Sequence, residues 1–345
     1  MMQKKSSYHY RRRKKQNKQK LALAVISVLA ALVLTIVLCV TLRPAKAPAP
    51  TTPETETQTP ALPTVSMPLP QTFVDNNTSA EYIVLYDATN NKTLYSKNAD
   101  KQCFPASTTK LMTALVTLQY ADANTVFTVG NEVLLIDPES SRAWLRMGNR
   151  LDLQTLLEAL MLPSGNDAAY TAAANVGRII AGDQNLSAQA AISKFCEKMN
   201  ETAKTLGAKN THFINPDGIH NANHYTTAAD MLLICKAALE NPTLAAVVSE
   251  EKVTRTFLSG ETGATWYNTN YLLRTDTRYL FDGAIGLKTG HTNEAGYCLT
   301  AAAERDGVKL IAVLMNADST NGRFDDATGL FDVCFDNVVQ PTTAQ

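Results

Sequence analysis

Residues 21–42 form a run of 22 residues without a charged side chain, LALAVISVLAALVLTIVLCVTL. As a helix rising about 1.5 Å per residue, this run would be about 33 Å long, which matches a bilayer hydrocarbon core of about 30 Å. The basic block RRRKKQNKQK directly before it marks the cytoplasmic side of a membrane. The sequence therefore predicts a basic cytoplasmic tail over 1–20 and one transmembrane helix over 21–42, with the remaining chain outside the cytoplasm.

A cleaved signal peptide is the alternative interpretation of the same run. The apolar core of a signal peptide is usually about 7–15 residues long, so the longer run favours a retained anchor. The tripeptide Ala45-Lys46-Ala47 nevertheless has the small residues of a cleavage site. Both interpretations place the rest of the chain outside the cytoplasm, and only the retained anchor makes the membrane a permanent partner.

A linker rich in Pro and Thr is predicted over 43–72, because eight of the 14 prolines lie within it. Proline continues neither helices nor central strands, so the segment is expected to be an extended spacer. Residues 47–345 carry 21 basic and 32 acidic residues, a formal charge of −11. That charge argues against nucleic-acid binding, which needs a positive surface.

The pattern after residue 72 predicts an α/β (α+β) domain whose antiparallel sheet is formed by both ends of the domain. Two hairpins are expected from strands that flank a turn dipeptide. They are Glu81–Tyr86 with Thr93–Ser96 around Asn90-Asn91, and Gly296–Ala303 with Val308–Met315 around Asp306-Gly307. The pattern between them is mainly helical, which predicts flanking helices and a helical subdomain. One apolar helix face is formed by Leu153, Leu156, Leu157, Leu160 and Met161, with Asp152 as the cap.

Cysteine and histidine usage predicts no disulfide framework and no metal site. After Cys39, five cysteines remain at wide, irregular spacings, and none belongs to a CxxC motif. They are expected to be small buried side chains: Cys103, Cys196, Cys235, Cys298 and Cys334.

Ser107 and Lys110 stand three residues apart in the segment FPASTTK. Pro105 suits the first turn of a helix, so both side chains are predicted to share one helix face. A serine hydroxyl needs a base to become a good nucleophile, and lysine serves as that base only when neutral. Lowering a lysine pKa from about 10.4 to about 7 takes roughly 4.6 kcal/mol, which burial and neighbouring cations supply.

A second motif, Ser164-Gly165-Asn166, follows the predicted apolar helix. Gly165 permits a tight turn between two helices. Ser164 is a candidate for relaying a proton, and Asn166 is a candidate for holding a substrate amide. Alone, the triplet is an ordinary interhelical turn.

A third motif, Lys288-Thr289-Gly290, lies near the C-terminal end and is followed by His291. A cation, a hydroxyl and an approachable backbone at the edge of a sheet would bind a carboxylate. The same edge would offer a backbone N–H group to an oxyanion. Alone, this triplet is also common, as a strand followed by a turn.

The order of the three motifs is more specific than any one of them, because they follow one another at separations of 57 and 124 residues. Ser-x-x-Lys, Ser-Asp-Asn and Lys-Thr-Gly are the signature of penicillin-binding proteins and class A β-lactamases. The chain resembles the D-alanyl-D-alanine carboxypeptidases, which are low-molecular-mass penicillin-binding proteins, over roughly residues 73–335. Other stretches that carry the resemblance are Leu151–Ala173, Phe195–Gly207, Thr211–Ile219, Thr226–Met231 and Leu287–Cys298.

This resemblance implies a β-lactamase/transpeptidase-like fold and a penicillin-binding carboxypeptidase domain over 73–340. Ser107 would attack the carbonyl between two D-alanines of a peptidoglycan stem peptide, and Lys110 would take its proton. Ser164 would assist proton transfer. β-Lactam antibiotics would acylate the same serine, and no cofactor would be required.

The resemblance also implies which residues bind the substrate. Asn166 would orient it, and Lys288 and Thr289 would meet its terminal carboxylate. Gly290 belongs to the same binding edge. The backbone N–H groups of His291 and of the nucleophile would form the oxyanion hole.

Two other functions remain open at this point. A serine β-lactamase would share the fold and the nucleophile, but class A enzymes need an additional Glu for deacylation. Glu197 and Glu201 belong to a stretch that the carboxypeptidase resemblance already explains. A non-catalytic module that senses β-lactams or binds the wall is the other alternative, although an intact Ser107 and Lys110 argue against it.

Overall fold

The computed structural model describes residues 62–65, 74, 77–260 and 263–340. The predicted cytoplasmic tail, the predicted transmembrane helix and most of the predicted linker lie outside these residues. Within the described ranges, no single helix has both the length and the apolar composition to cross a bilayer. One sharply bent pair of helices, Ala228–Glu240 with Pro242–Val248, meets those two criteria only when taken together.

The strands are numbered in chain order. They are β1 (Thr64–Val65), β2 (Tyr82–Asp87), β3 (Lys92–Lys97), β4 (Val126–Thr128), β5 (Arg150–Asp152), β6 (Lys252–Arg255), β7 (Ala264–Tyr267), β8 (Ala284–Thr292), β9 (Gly296–Arg305), β10 (Val308–Ala317) and β11 (Val338–Val339). The helices of the described residues are α1 (Lys110–Tyr120), α2 (Leu153–Met161), α3 (Asn166–Ala181), α4 (Ala188–Leu206), α5 (Ala228–Glu240), α6 (Pro242–Val248) and α7 (Thr320–Phe335).

The main sheet has five antiparallel strands in the order β3-β2-β10-β9-β8. Both predicted hairpins are present, and the pairing of β2 with β10 joins the two ends of the domain. The pairs β1-β11, β4-β5 and β6-β7 form three small separate sheets. The predicted sheet built from both ends of the domain is therefore confirmed, with β8 at one edge.

Each face of the main sheet packs against a different apolar layer, because side chains alternate along a strand. In β10, Leu310 and Leu314 belong to one core cluster, which includes Phe324 and Phe331 of α7. Ile311 belongs to the other cluster, which is built mainly from the helices between the two ends of the chain. The result is three layers, with α7 on one side of the sheet and the helical part on the other.

Helix α1 lies in the middle of the helical part and is buried along most of its length. Helix α2 presents the predicted apolar face, and the Asp152 carboxylate accepts the Thr155 N–H at 2.7 Å, which confirms the predicted cap. Helices α2 and α3 are joined by a short turn over 162–165. This turn brings the second sequence motif beside the start of α1.

The cysteines of the described residues are free thiols and are buried, as predicted. No group of three or more His, Cys, Asp or Glu residues with metal-binding geometry occurs within 62–65, 74, 77–260 and 263–340.

Candidate active site

Ser107 lies in a short 3-10 turn, Ala106–Thr109, that leads directly into α1. The Pro105 carbonyl closes the turn by accepting the N–H and the hydroxyl of Thr108 at 3.2 and 2.7 Å. The α-helix thus begins at Lys110, later than the helix start expected at Pro105. Because residues three apart eclipse one another in a 3-10 turn, the serine and the lysine still meet. Lys110 Nζ lies 2.9 Å from Ser107 Oγ, which confirms the predicted contact.

Lys110 is completely buried and has three oxygen atoms around its amine. In addition to Ser107 Oγ, its Nζ lies 2.7 Å from Asn166 Oδ1 and 2.8 Å from the carbonyl oxygen of Asp217. Burial lowers the pKa of Lys110 to about 8, although the negative charges of Asp217 and Asp167 act in the opposite direction. About a tenth of the amine is therefore neutral at pH 7, far more than for an ordinary exposed lysine.

The charged form of the Lys110 amine can donate to all three oxygens, and the neutral form, with two N–H groups and one lone pair, can also satisfy these contacts. Asn166 Oδ1 and the Asp217 carbonyl oxygen can only accept hydrogen bonds, so they take the two N–H groups. The lone pair is then left for the Ser107 hydroxyl, which can donate. The geometry can therefore draw a proton from Ser107.

The second motif forms the turn before α3, and its central glycine is required by crowding. A Cβ atom on Gly165 would lie 2.6 Å from the Ala159 carbonyl oxygen and 2.8 Å from an Asp167 carboxylate oxygen. The tight turn leaves Ser164 buried, and its Oγ has no hydrogen-bond partner among the described residues. Asn166 is the first residue of α3.

The third motif lies in β8, at the edge of the main sheet, as predicted. This strand passes very close to the nucleophile, because a Cβ atom on Gly290 would lie 2.9 Å from the Ser107 backbone nitrogen. Any larger residue at this position would push the strand away from the serine. The Thr289 hydroxyl lies 2.7 Å from the hydroxyl of Thr269, and both residues line the cleft.

Lys288 is also buried, and its Nζ donates to the Thr289 carbonyl oxygen at 3.0 Å and to Thr269 Oγ1 at 3.4 Å. Burial lowers the pKa of Lys288 well below its ordinary value, and repulsion from Lys110 and Arg323 lowers it further. The site therefore concentrates positive groups in a buried region. A bound carboxylate would stabilise the charged form of this lysine.

Arg323 of α7 supports the strand wall from behind. Its Nη1 donates to the carbonyl oxygens of Gly290 and Cys298 at 3.0 and 3.2 Å, so one guanidinium links β8 to β9. The side chain also lines the cleft. It is a cation beside the position where an anionic group of a ligand would bind.

These walls enclose an open cleft of about 770 Å³. Ser107, Ser164 and Asn166 line one side, and Thr289, Gly290 and His291 line the other. The cleft therefore brings together members of all three sequence motifs, with the two lysine amines buried beneath it.

The D-alanyl-D-alanine carboxypeptidase family, peptidase S11, matches residues 69–319 of this chain. The chain belongs to this family. The match includes all three motifs and the whole of the main sheet, so the family resemblance noted from the sequence is confirmed.

Curated members of the family are similar to this chain over most of its length. The D-alanyl-D-alanine carboxypeptidase of Streptomyces sp. strain K15 is 38% identical over 252 residues, which are 70% of this chain and 82% of that protein. The carboxypeptidase DacF of Bacillus subtilis is 31% identical over 265 residues, or 74% of this chain. The chain spans only 62% of the length of DacF.

Solved structures share the fold. The crystal structure of the Streptomyces K15 DD-transpeptidase has a TM-score of 0.68 and 35% identity, and the match covers 75% of this chain and 98% of that one. Penicillin-binding protein D2 from Listeria monocytogenes, solved in its cefotaxime-bound form, has a TM-score of 0.62 and 28% identity. Its match covers the same shares of the two chains.

Some residues of the site were not identified from the sequence. Asp217 contributes a backbone carbonyl to Lys110, and no residue-type pattern predicts such a contact. Thr269 reaches the third motif from a separate loop. Arg323 did leave a signal, because it shares a helix face with the buried Ala327 and Leu330.

The other residues considered from the sequence, the His291 ring and the two glutamates of α4, make structural contacts. The His291 ring stacks on Tyr297 with ring centroids 4.2 Å apart, while its backbone belongs to the edge strand. Glu197 and Glu201 pair with Lys194 and Lys198 on the exposed face of α4. These two glutamates therefore do not supply the additional carboxylate of a class A β-lactamase.

Proposed function

We propose that this chain is a serine-type D-Ala-D-Ala carboxypeptidase that removes the terminal D-alanine from peptidoglycan stem peptides. The observation that carries the proposal is the 2.9 Å contact between Ser107 Oγ and the buried Lys110 amine, in a cleft whose other wall is the Lys288–Gly290 strand. The family membership supports the same reaction.

Acylation begins at Ser107. Lys110 takes the hydroxyl proton as Oγ attacks the carbonyl carbon between the two D-alanines, which gives a tetrahedral intermediate. The negative oxygen of that intermediate is bound by the backbone N–H groups of Ser107 and His291. The closeness of Gly290 to the Ser107 nitrogen supports this pairing, and one such donor contributes about 10²–10³ in rate.

The terminal carboxylate of the substrate binds to the strand wall. Lys288 provides the charge and Thr289 provides a hydroxyl, while Arg323 adds positive potential from behind the strand. A carboxylate in this position places the preceding peptide bond over Ser107. This preference restricts the reaction to the C-terminal residue of a peptide.

The leaving D-alanine needs a proton on its nitrogen. Ser164 is suited to relay that proton from Lys110, because its buried hydroxyl lines the cleft without a protein partner. Asn166 holds the lysine amine through its Oδ1 and keeps its amide nitrogen for the substrate. Water then attacks the ester carbonyl and gives a proton to Lys110. The lysine returns that proton to Ser107 Oγ as the ester bond breaks and the shortened peptide leaves.

β-Lactam antibiotics resemble the same substrate and would acylate Ser107. The cefotaxime-bound form of the Listeria protein supports this part of the proposal. The amine of the ring-opened drug remains attached to the acyl group and stays in the cleft. Water therefore reaches the ester poorly, and the enzyme stays blocked.

We further propose that residues 21–42 anchor the enzyme in the cell membrane as a single-pass protein, with the domain over 73–340 outside the cytoplasm at the wall. The uncharged run and its basic flank support this location. Cleavage near Ala45 would instead release the enzyme into the wall. The mass of the mature protein distinguishes the two, because only cleavage removes the first residues.

One experiment tests the catalytic proposal. The full chain is incubated with a D-Ala-D-Ala peptide and, separately, with a fluorescent penicillin, and the labelled peptide is mapped by mass spectrometry. We expect D-alanine release, a long-lived label on Ser107, and loss of both in Ser107→Ala. Equal D-alanine release by the two proteins would refute the nucleophile. Rapid repeated turnover of penicillin would instead favour a β-lactamase.

A further inference from the structure

An exposed apolar surface lies beside the catalytic cleft. Trp144 is 76% exposed and Leu134 is 73% exposed, and the two line one shallow cavity of about 350 Å³. Leu135 and Met147, their neighbours along the chain, are 44% and 57% exposed. We call these four residues the Trp144 surface. Leu134 and Trp144 share one cavity, and exposed apolar side chains grouped in this way commonly mark an interaction site.

The position of Trp144 is fixed from inside the domain. The Asp167 carboxylate accepts the N–H groups of Ala143 and Leu145 at 2.8 and 2.9 Å, on either side of the tryptophan. The indole nitrogen of Trp266 donates to the Ala143 carbonyl oxygen at 3.0 Å. The backbone is therefore held firmly while the Trp144 ring remains in solvent.

Positive charge accompanies the Trp144 surface. Arg142 and Arg146 line the same shallow cavity, and neither has an ion pair within the described residues. The acidic residue of that lining, Asp167, is buried and accepts backbone N–H groups. Exposed Asp137 and Glu139 of the same segment line the adjoining cleft, so the two arginines are the cations of this surface in a region that has a formal charge of −11 after residue 46. An anionic surface would therefore be attracted here and repelled by the rest of the domain.

We propose that the Trp144 surface docks on the anionic face of the membrane bilayer. Tryptophan is enriched at the lipid–water interface, leucine and methionine insert below it, and arginine attracts anionic headgroups. The inference rests on the proposed membrane location.

The chain outside the described residues makes such docking accessible. About 20 residues separate the predicted membrane helix from Leu62, where the description of the domain begins. A Pro-rich chain of that length reaches at most about 60 Å when extended, so the domain stays within reach of the bilayer. Tethering raises the effective concentration of the surface at the membrane and allows weak docking to be populated.

The two tryptophans of the chain provide a direct test, because Trp266 is only 3% exposed. The full chain is reconstituted in nanodiscs of equal parts phosphatidylcholine and phosphatidylglycerol, with either ordinary or brominated acyl chains. Bromine quenches a tryptophan that enters the lipid. We expect loss of emission in brominated discs for the wild type, and no such loss for Trp144→Asn.

The choice of variant separates docking from folding. Trp144 has a φ of 65°, a left-handed conformation that asparagine tolerates better than tryptophan, so Trp144→Asn is expected to fold. Leu280→Ser is the matched control, because Leu280 is 52% exposed and does not belong to the Trp144 surface. We expect this control to keep the quenching of the wild type, and discs of phosphatidylcholine alone to weaken it.

Several outcomes would overturn the proposal. Equal emission of the wild type in ordinary and brominated discs would show that Trp144 does not enter lipid. Shielding of Trp144 that depends on protein concentration would indicate a second copy, and a shift caused only by soluble muropeptides would indicate a glycan. Co-elution with the discs tests the membrane anchor, and quenching tests the docking of Trp144 separately. Failure of Trp144→Asn to co-elute would therefore contradict the anchor.

Discussion

The two walls of the cleft each contain a buried lysine, and the lysines differ in how their amines are satisfied. Lys110 on the helical wall has three oxygen neighbours at 2.7–2.9 Å. Lys288 on the strand wall has one at 3.0 Å and a longer one at 3.4 Å among the described residues. The amine of Lys110 is thus completely engaged by the protein, whereas Lys288 keeps hydrogen-bonding capacity for a ligand.

This difference shows how similar burial serves two purposes. For Lys110, burial favours a neutral amine, and two carbonyl acceptors orient that amine beside Ser107, which suits a base. For Lys288, burial and neighbouring cations disfavour the charged form of the amine, and the negative charge of an incoming carboxylate stabilises that form. The number and type of neighbouring oxygens, rather than burial itself, distinguish the base from the anion-binding group.

The largest expected effect is on the helical wall. In Lys110→Arg the guanidinium cannot lose its proton, so acylation should fall by about 10²–10⁴, the usual contribution of a general base. Release of D-alanine and the rate of labelling by fluorescent penicillin measure this loss. In the wild type both rates should rise with pH through about 8, since the neutral amine is the active form above its pKa.

Lys194→Arg is the matched control for that substitution, because Lys194 lies on the surface of α4 and pairs with Glu197. It should leave the rate and the pH profile unchanged. Thermal unfolding of Lys110→Arg establishes that the variant is folded. A folded variant that retains acylation within a few-fold of the wild type would contradict the role of Lys110 as the base.

The second prediction concerns the strand wall. Lys288→Met keeps an apolar side chain of similar length and removes the charge, so kcat/KM for a D-Ala-D-Ala peptide should fall by about 10- to 100-fold, as for loss of a charged hydrogen bond of roughly 1.5–3 kcal/mol. The same peptide with a C-terminal amide is the control. We expect the wild type to prefer the acid and Lys288→Met to lose that preference, while equal losses for both substrates would argue against carboxylate binding.

Local sequence patterns predicted the parts of the site that depend on neighbours in the chain. The i, i+3 spacing of Ser107 and Lys110 and the capping of α2 by Asp152 are examples, because one turn of backbone fixes each geometry. The two hairpins were also predictable, since strand alternation and turn dipeptides are local. The edge position of Lys288 was anticipated from its motif.

Contacts between distant segments were not predictable in the same way. The Asp217 carbonyl reaches Lys110 across 107 residues, and every residue type carries the same carbonyl. The crowding at Gly165 depends on Ala159 and Asp167 meeting around one turn. The sequence therefore identified the chemical groups of the site, while tertiary packing determined how their protons and charges are balanced.

The smallest expected effect tests that balance at Asp217. Its carboxyl is buried, burial raises its pKa, and its negative charge raises the pKa of Lys110. Asp217→Asn keeps the shape and the backbone carbonyl but removes the charge, so the pKa of Lys110 should fall. The rise of the acylation rate with pH, which follows the loss of the Lys110 proton, should therefore occur at lower pH. The rate at high pH should change little, because Lys110 is already neutral there.

The rate of penicillin labelling as a function of pH measures this shift, with Asp183→Asn in the exposed loop after α3 as the control. A shift toward higher pH would contradict the electrostatic role, because even replacement of a neutral carboxyl by an amide would leave the profile unchanged. An unchanged profile, with Lys110→Arg inactive, would mean that the carboxyl charge is not felt at the amine. A rise of the rate at lower pH would show that the pKa of Lys110 is set partly by Asp217, a residue that does not touch the substrate.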